Sequence, residues 1–261
     1  MLMQKVETEF PLGNDGAEIG PFSIARMTRL GAIQLVRSSV QTRKPLDIAI
    51  CNAHTILTAL DDPSYATTLR QMTLLNDGIG IDLASRFLDG EFFPANLNGT
   101  DLVPSILEEI GIPLRIYLLG ASEHHVQLAK AHIERVFPSH KVVGYRNGYF
   151  DMNDCSDVCA DINISKPDLL LVAMGNPRQE NFIVHNRAKL DVTVAIGVGA
   201  LFDFMSGSVM RAPKAVQSVG LEWLFRLLQE PRRLFRRYVV GIPRFFYALA
   251  KMKFNQSHKK F

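Results

Sequence analysis

The chain is expected to fold as an α/β body on a Rossmann-like, mostly parallel sheet with helices on both faces, followed by a basic helical appendage. Three observations predict this. Short apolar runs recur between stretches of helical spacing, and these runs end in loops rich in Gly, Asn or Asp. Past residue 211 the strand signals stop while basic and aromatic residues accumulate. Strands alternating with helices argue for a parallel, doubly wound sheet.

The elements follow in order. Residues 46–51 read as a strand and about 54–60 as a helix. Residues 72–75 read as a second strand, running into Asn76-Asp77-Gly78 and a helix through Ala84-Ser85-Arg86. Residues 102–110 are helical, started by the Thr100/Asp101 capping signal. A buried strand at 114–119 ends in Gly120-Ala121-Ser122, with a helix to about 136 and a strand at 141–145 behind it. An apolar strand at 168–173 leads into Gly175-Asn176-Pro177-Arg178-Gln179-Glu180 and a further helix. The strand at 192–196 ends in Gly197-Val198-Gly199. Residues 1–210 are therefore taken as the catalytic body and 211–261 as the appendage. No internal repeat or low-complexity segment is evident, and the first 40 or so residues carry little signal.

Composition sets the class. With 47% hydrophobic and 21% charged residues, the 261-residue chain reads as globular and large enough to bury a substrate cleft. Cys51, Cys155 and Cys159 are too few for a disulfide framework and lack zinc-like spacing, so reduced thiols are expected. The N-terminus lacks a basic start followed by an apolar run, and no stretch reaches the ~18 apolar residues of a spanning helix. A cytoplasmic protein is expected.

Charge is unevenly placed. Of the net +3, residues 226–261 hold ten Lys/Arg against one acid, Glu230, which leaves −6 on residues 1–225. Such asymmetry points to a polyanionic partner for the tail, phospholipid or nucleic acid. Wound at ~100° per residue, residues 232–239 place Arg232, Arg233, Arg236 and Arg237 on one arc of about 140°. Leu234, Phe235, Tyr238 and Val239 fill the other. A basic amphipathic helix of this kind suits an anionic bilayer surface, or packs its apolar stripe on the body.

Ligands of open parallel sheets bind beyond the carboxyl ends of the strands. Asn52, Asp77 and the two glycine loops all fall there. Glycines such as Gly175 and Gly199 let backbone approach a phosphate, and helix N-termini behind them favour negative charge, so a nucleotide-like ligand is expected. No complete G-x-G-x-x-G follows the first strand, and no phosphate-binding G-x-x-x-x-G-K-[ST] occurs. Asp77, where an apolar run meets a flexed loop, is either a general base at a cleft edge or an Asp-Gly turn and helix cap. Glu180 complements a helix dipole. Asp203, set between Phe202 and Phe204, is either a ribose acceptor or a turn carboxylate.

These residues together resemble the WecG/TagA/CpsF family of bacterial glycosyltransferases. The resemblance rests on Asn76-Asp77-Gly78, the run from Gly175 to Glu180, and Gly197-Val198-Gly199-Ala200-Leu201-Phe202-Asp203-Phe204. It continues through Gly207, Arg211-Ala212-Pro213, Gly220-Leu221-Glu222-Trp223-Leu224-Phe225-Arg226-Leu227 and Glu230-Pro231-Arg232-Arg233, spanning about residues 46–238.

The resemblance implies an inverting, metal-independent transferase without a cofactor. It would use a UDP-sugar and extend a sugar on a polyprenyl diphosphate, in exopolysaccharide or cell-surface glycan assembly. Asp77 stands at the family's catalytic base, and Asn52 and Gln179 match positions lining the same pocket. Tyr149 and Asp203 match positions that hold uridine, and Arg226, Arg233 and Arg236 match tail arginines that close over the site. Arg237 joins them on the basic face. A peripheral protein on the cytoplasmic face of the inner membrane follows, with no nucleic-acid partner.

One departure bears on the donor. Some amino-sugar transferases of the family carry Thr-x-Asn where this chain has Ile50-Cys51-Asn52. The lost hydroxyl suggests UDP-glucose as donor, with an N-acetylmannosaminyl or N-acetylmannosaminuronyl transferase as the alternative. From the residues alone, a nucleotide-dependent dehydrogenase and a non-enzymatic nucleic-acid or membrane binder also stay open. A homo-oligomer suits a helix-faced body, but nothing in the chain specifies one.

Overall fold

A computed structural model describes residues 16–218 and 220–258. The chain enters through the hairpin β1 (Gly16–Ile19) and β2 (Phe22–Ala25), then α1 (Arg29–Thr42). Next come β3 (Leu46–Cys51), α2 (Ala53–Asp61), α3 (Pro63–Leu69), β4 (Thr73–Asn76), α4 (Ile79–Asp89) and α5 (Gly99–Glu109). They lead to β5 (Arg115–Gly120), α6 (Glu123–Val136), β6 (Lys141–Arg146), α7 (Ser156–Ile164) and β7 (Leu169–Ala173). After α8 (Arg178–His185), β8 (Val194–Gly197) and α9 (Leu201–Met205), the described chain is helical: α10 (Lys214–Ser218), α11 (Glu222–Gln229), α12 (Pro231–Phe235) and α13 (Gly241–His258).

The strands form one sheet in the order β1-β2-β4-β3-β8-β7-β5-β6. The β1–β2 pairing is antiparallel and the others are parallel, so the expected fold class stands. The opening hairpin and α1 lie where the sequence reading assigned nothing. Their signal was a two-residue alternation, since Ala17, Ile19, Phe22 and Ile24 are all buried, but four-residue strands are too short to stand out.

Both faces of the sheet are covered, which is why its strands are apolar throughout. β7 shows the division residue by residue. Leu170 and Val172 join a core built with α2, α3, α4, α7 and α8, whereas Leu169, Leu171 and Ala173 join one built with α1, α5, α6 and α9. The tail is bound to the first of these cores: Phe245 and Leu249 of α13 are fully buried in it.

The amphipathic helix expected over 232–239 is not continuous. α12 ends at Phe235, and Arg236–Val240 forms a π-helical turn in which the Gly241 amide donates to the Arg236 carbonyl, five residues back. Pro243 has no amide to donate to the Val239 carbonyl, and a widened turn next to it is the local answer to that loss. Of the apolar arc, Leu234 is buried whereas Phe235 and Val239 face outward. Among the described residues no helix is long and apolar enough to cross a membrane.

Candidate active site

The winding reverses beside β3. From β3 the chain steps outward to β4 on one side, and it returns through β7 to β8 on the other. Such a reversal leaves a crevice beyond the strand ends. Here it opens into a cavity of about 1310 Å³, walled by the loops after β3, β4, β5, β7 and β8 and by the tail.

Asp77 sits on the cavity wall just past β4, held by its amide, which donates to the Cys51 carbonyl at 2.8 Å. Burial pushes its carboxyl above the ordinary value, against the lowering effects of Asn52, Arg237 and Arg226. Asn52 divides its amide between two tasks. Its Oδ1 accepts from the His54 and Thr55 amides, both at 3.1 Å, and so caps α2; its Nδ2 donates to Asp77 Oδ2 at 3.2 Å. Asn52 thus fixes the orientation of the candidate base. Asn52→Ala is expected to cost about 1 kcal/mol of stability through the lost cap. Asn52→Asp keeps the cap but sets a second carboxylate beside Asp77, so the acid limb of kcat/KM should move to higher pH. Paired melting curves and pH–rate profiles check both.

Gln179 lines the cavity floor at 1% exposure with every polar atom engaged. Its Oε1 accepts from the Gly175 and Gly199 amides, each at 3.1 Å, and its Nε2 donates to Glu180 at 2.8 Å. It therefore positions the two glycine loops. The Gly175 and Gly199 amides expected to face a phosphate are spent on Gln179. What these loops present instead is space, because a Cβ on either glycine would meet nothing within 4 Å. Gly197 is required by close approach: a Cβ there would stand 2.8 Å from Gln179 Nε2.

Behind Gln179, Glu180 is fully buried and accepts from Tyr65 Oη at 3.0 Å, Asn176 Nδ2 at 2.6 Å and Gln179 Nε2 at 2.8 Å. Burial raises its pKa to about 7 in spite of these donors. Glu180 does stand in the first turn of α8, where a carboxyl complements the helix dipole, and it also closes a buried network tying α3 to the β7 loop.

Asp203 also lines the cavity, where its Oδ1 lies 3.1 Å from His125 Nδ1, and His125 Nε2 lies 2.9 Å from Ser208 Oγ. The sequence reading did not single out His125 or Ser208. The position of His125 at the start of α6, behind the Gly120-Ala121-Ser122 strand end, was the signal available. Tyr149 stands at the rim, 79% exposed, an aromatic face free to cover a flat ring.

The tail forms the other wall. Arg226 lies 5.1 Å from the Phe204 ring and 3.5 Å from Glu230. Arg226 Nε and Arg237 Nε are buried with no hydrogen-bond partner among the described residues. Two desolvated guanidinium donors on a cleft wall suit an anion that satisfies them. Burial, and then Arg237, lowers the His54 pKa to about 4, so this neighbour stays neutral and adds no charge. Arg236 is exposed at the cavity edge, whereas the Arg233 side chain lies outside the described ones. Arg211 fastens the tail by pairing with Asp101 at 2.5 Å and Glu222 at 4.0 Å. The three cysteines are free and buried. Among the described residues no group of three or more His, Cys, Asp or Glu side chains is arranged to hold a metal.

Comparison with known proteins fits this geometry. The model of the glycosyl transferase WecG/TagA/CpsF family matches residues 17–259. An N-acetylglucosaminyldiphosphoundecaprenol N-acetyl-β-D-mannosaminyltransferase of Bacillus spizizenii is 34% identical over 195 residues, 74% of each chain. The protein of that name from Bacillus subtilis is 32% identical over 216 residues, 82% of each chain. One from Staphylococcus aureus is 28% identical over 215 residues, 82% of this chain and 83% of its own.

These relatives overturn the expectation of UDP-glucose as donor, since each is named for transferring an N-acetylmannosaminyl group. The structure shows why the departure at Ile50 carried too little. Ile50 is a 7% exposed apolar wall residue packed against Gly99, so its missing hydroxyl changes one patch of the cavity and not its architecture. A cleft with an oriented carboxylate, its cationic wall and a match over nearly the whole chain lead to one assignment: the chain belongs to the WecG/TagA/CpsF family of glycosyl transferases.

Proposed function

We propose that this enzyme transfers an N-acetylmannosaminyl group from its UDP-linked form onto an N-acetylglucosaminyl diphosphate carried by a polyprenol, with inversion and without a metal. The observation that carries the reading is Asp77, set by Asn52 in a cleft that also holds two arginines, Arg226 and Arg237, whose buried Nε atoms have no hydrogen-bond partner among the described residues.

The acceptor hydroxyl gives its proton to Asp77 as its oxygen attacks the anomeric carbon. The bond to the UDP oxygen breaks on the opposite face, and UDP departs with the bonding pair. Charge growing on the leaving diphosphate is met by cations already in place around the cleft. Arg226, Arg236 and Arg237 are the residues assigned to that task. Tyr149 covers the uracil ring, and Asp203, oriented by His125, accepts from the ribose hydroxyls. The exposed basic and aromatic residues of α12 and α13 hold the enzyme against the cytoplasmic face of an anionic membrane, where its lipid-linked acceptor resides.

The test is UDP release by the full-length chain with a lipid-linked N-acetylglucosaminyl diphosphate. Release is expected with UDP-N-acetylmannosamine, to depend on acceptor and to persist in EDTA. Release with UDP-glucose alone, or rates abolished by the chelator, would remove the donor or the metal-free mechanism respectively.

A further inference from the structure

α4 carries an apolar stripe that packing in the body does not use. Ile79, Leu83 and Phe87 stand one helical turn apart on a single face and are 41, 43 and 42% exposed. The other face, with Ile81, Ala84 and Ser85, is buried. The stripe begins two residues after Asp77 and runs about 12 Å along the helix.

Neighbouring elements turn this face into a trough. At its inner end a side chain on Gly220 would come within 3.5 Å of Ile79, so the turn before α11 forms one bank there. At its outer end the Lys253 ammonium of α13 lies 4.3 Å from the centre of the Phe87 ring. The trough is continuous with the active-site cavity, which is itself lined by Ile79, Leu83, Val240 and Ile242. Val240 and Tyr247 add exposed apolar surface at 52 and 73%.

Charge marks the two ends. The part-buried Arg226 and Arg237, each with a buried, unpartnered Nε, stand at the cavity end, while Arg86, Lys251 and Lys253 are exposed near the outer end. The matching occupant has a diphosphate at its head, hydrocarbon along its length, and anionic headgroups where it leaves. We propose that the trough between α4 and α13 holds the first two or three isoprene units of the acceptor's polyprenyl chain. The chain would pass from the cleft to the bilayer along Ile79, Leu83 and Phe87. This inference rests on the lipid-linked acceptor proposed above.

The test needs no sugar transfer. Prenyl diphosphates of two, three and four isoprene units are titrated into the full-length protein, following Trp223, its sole tryptophan, which lines the cavity. Affinity is expected to rise about tenfold from two units to three, because the added carbons are covered on one side, and to level off at four, past Phe87. Leu83→Gln and Phe87→Gln, made separately at exposed positions, should each flatten that rise. Ile164→Gln, at an 81% exposed apolar residue outside the cavity lining, should leave it intact.

An undiminished rise in both α4 variants, or no chain-length dependence in the parent protein, overturns the proposal. So does a loss of flotation on anionic phospholipid vesicles in the α4 variants while the chain-length rise persists, since the face would then meet the bilayer itself. Failure of the transferase reading would appear elsewhere, as absent UDP release alongside intact prenyl diphosphate binding.

Discussion

Asp77→Asn is expected to lower kcat about a thousandfold while the fold and UDP affinity are kept, within the ~10²–10⁴ range that a positioned base supplies. The substitution is nearly isosteric, and the new carboxamide oxygen still accepts from Asn52 Nδ2. Stability should therefore hold or rise slightly, because a carboxyl that burial pushes upward is replaced by a neutral group. The parent enzyme should lose activity as pH falls through the raised Asp77 pKa, since only the carboxylate takes the acceptor's proton. That acid limb should lie above the ordinary aspartate range and be missing from the residual rate of the variant. Rapid-quench turnover with UDP binding measured in parallel checks the claim. A variant within tenfold of the parent would remove Asp77 as base.

The other acids near the cleft are committed elsewhere, which narrows the choice to Asp77. Burial works to raise the Asp101 carboxyl, but hydrogen bonds from Arg211 and Asn98 outweigh it and hold the group below its usual range. Glu222 is raised by burial, and its opposing partner is again Arg211. Asp203 is engaged by His125. Glu180 is sealed behind Gln179. Asp77 alone among these combines a place on the cavity wall, an orienting neighbour that leaves it negative, and cations close enough to pull on its titration without pairing with it.

Much of this was legible in sequence because strand ends announce themselves. An apolar run that stops at Gly, Asn or Asp marks the carboxyl end of a strand, and that rule located Asn52, Asp77, Gly175 and Gly199 from sequence. What those residues bond to was not legible. His125 reaches Asp203 from 78 positions away, Ser208 meets His125 across 83, and Tyr65 meets Glu180 across 115 residues. No local pattern encodes such pairings. Gln179 is the instructive case. Its place beside the pocket was readable, but its use as a double acceptor for two loop amides depends on how β7 and β8 lie side by side. Ile50 did not reveal the donor for a related reason, since one missing hydroxyl says little until the rest of the cavity wall is in view.

The buried network around Glu180 makes stability fall with rising pH. A carboxyl whose folded pKa is raised, here to about 7 from an ordinary value of 4.5, binds its proton more tightly in the native state than in the unfolded chain. The associated stabilisation is full below pH 4.5 and is lost as pH climbs through 7. This window is worth about 3 kcal/mol at ~1.4 kcal/mol per unit. Asp82, raised to about 6 by burial, adds in the same sense, whereas His54, lowered from 6.5 to about 4, acts in the opposite sense, so the Glu180 contribution is read as the difference between the parent and a Glu180 variant. Glu180→Gln should flatten the denaturant-midpoint profile over that range, its carboxamide still accepting from Asn176 and Gln179. Glu180→Leu should do worse at every pH, costing about 3–5 kcal/mol, because it leaves the Tyr65, Asn176 and Gln179 donors buried and unpaired. The loss would also reach catalysis, since Gln179 released from Glu180 no longer fixes the Gly175 and Gly199 loops that line the cleft. A profile in Glu180→Gln as steep as the parent's would place the titration on another group and return Glu180 to a purely structural part.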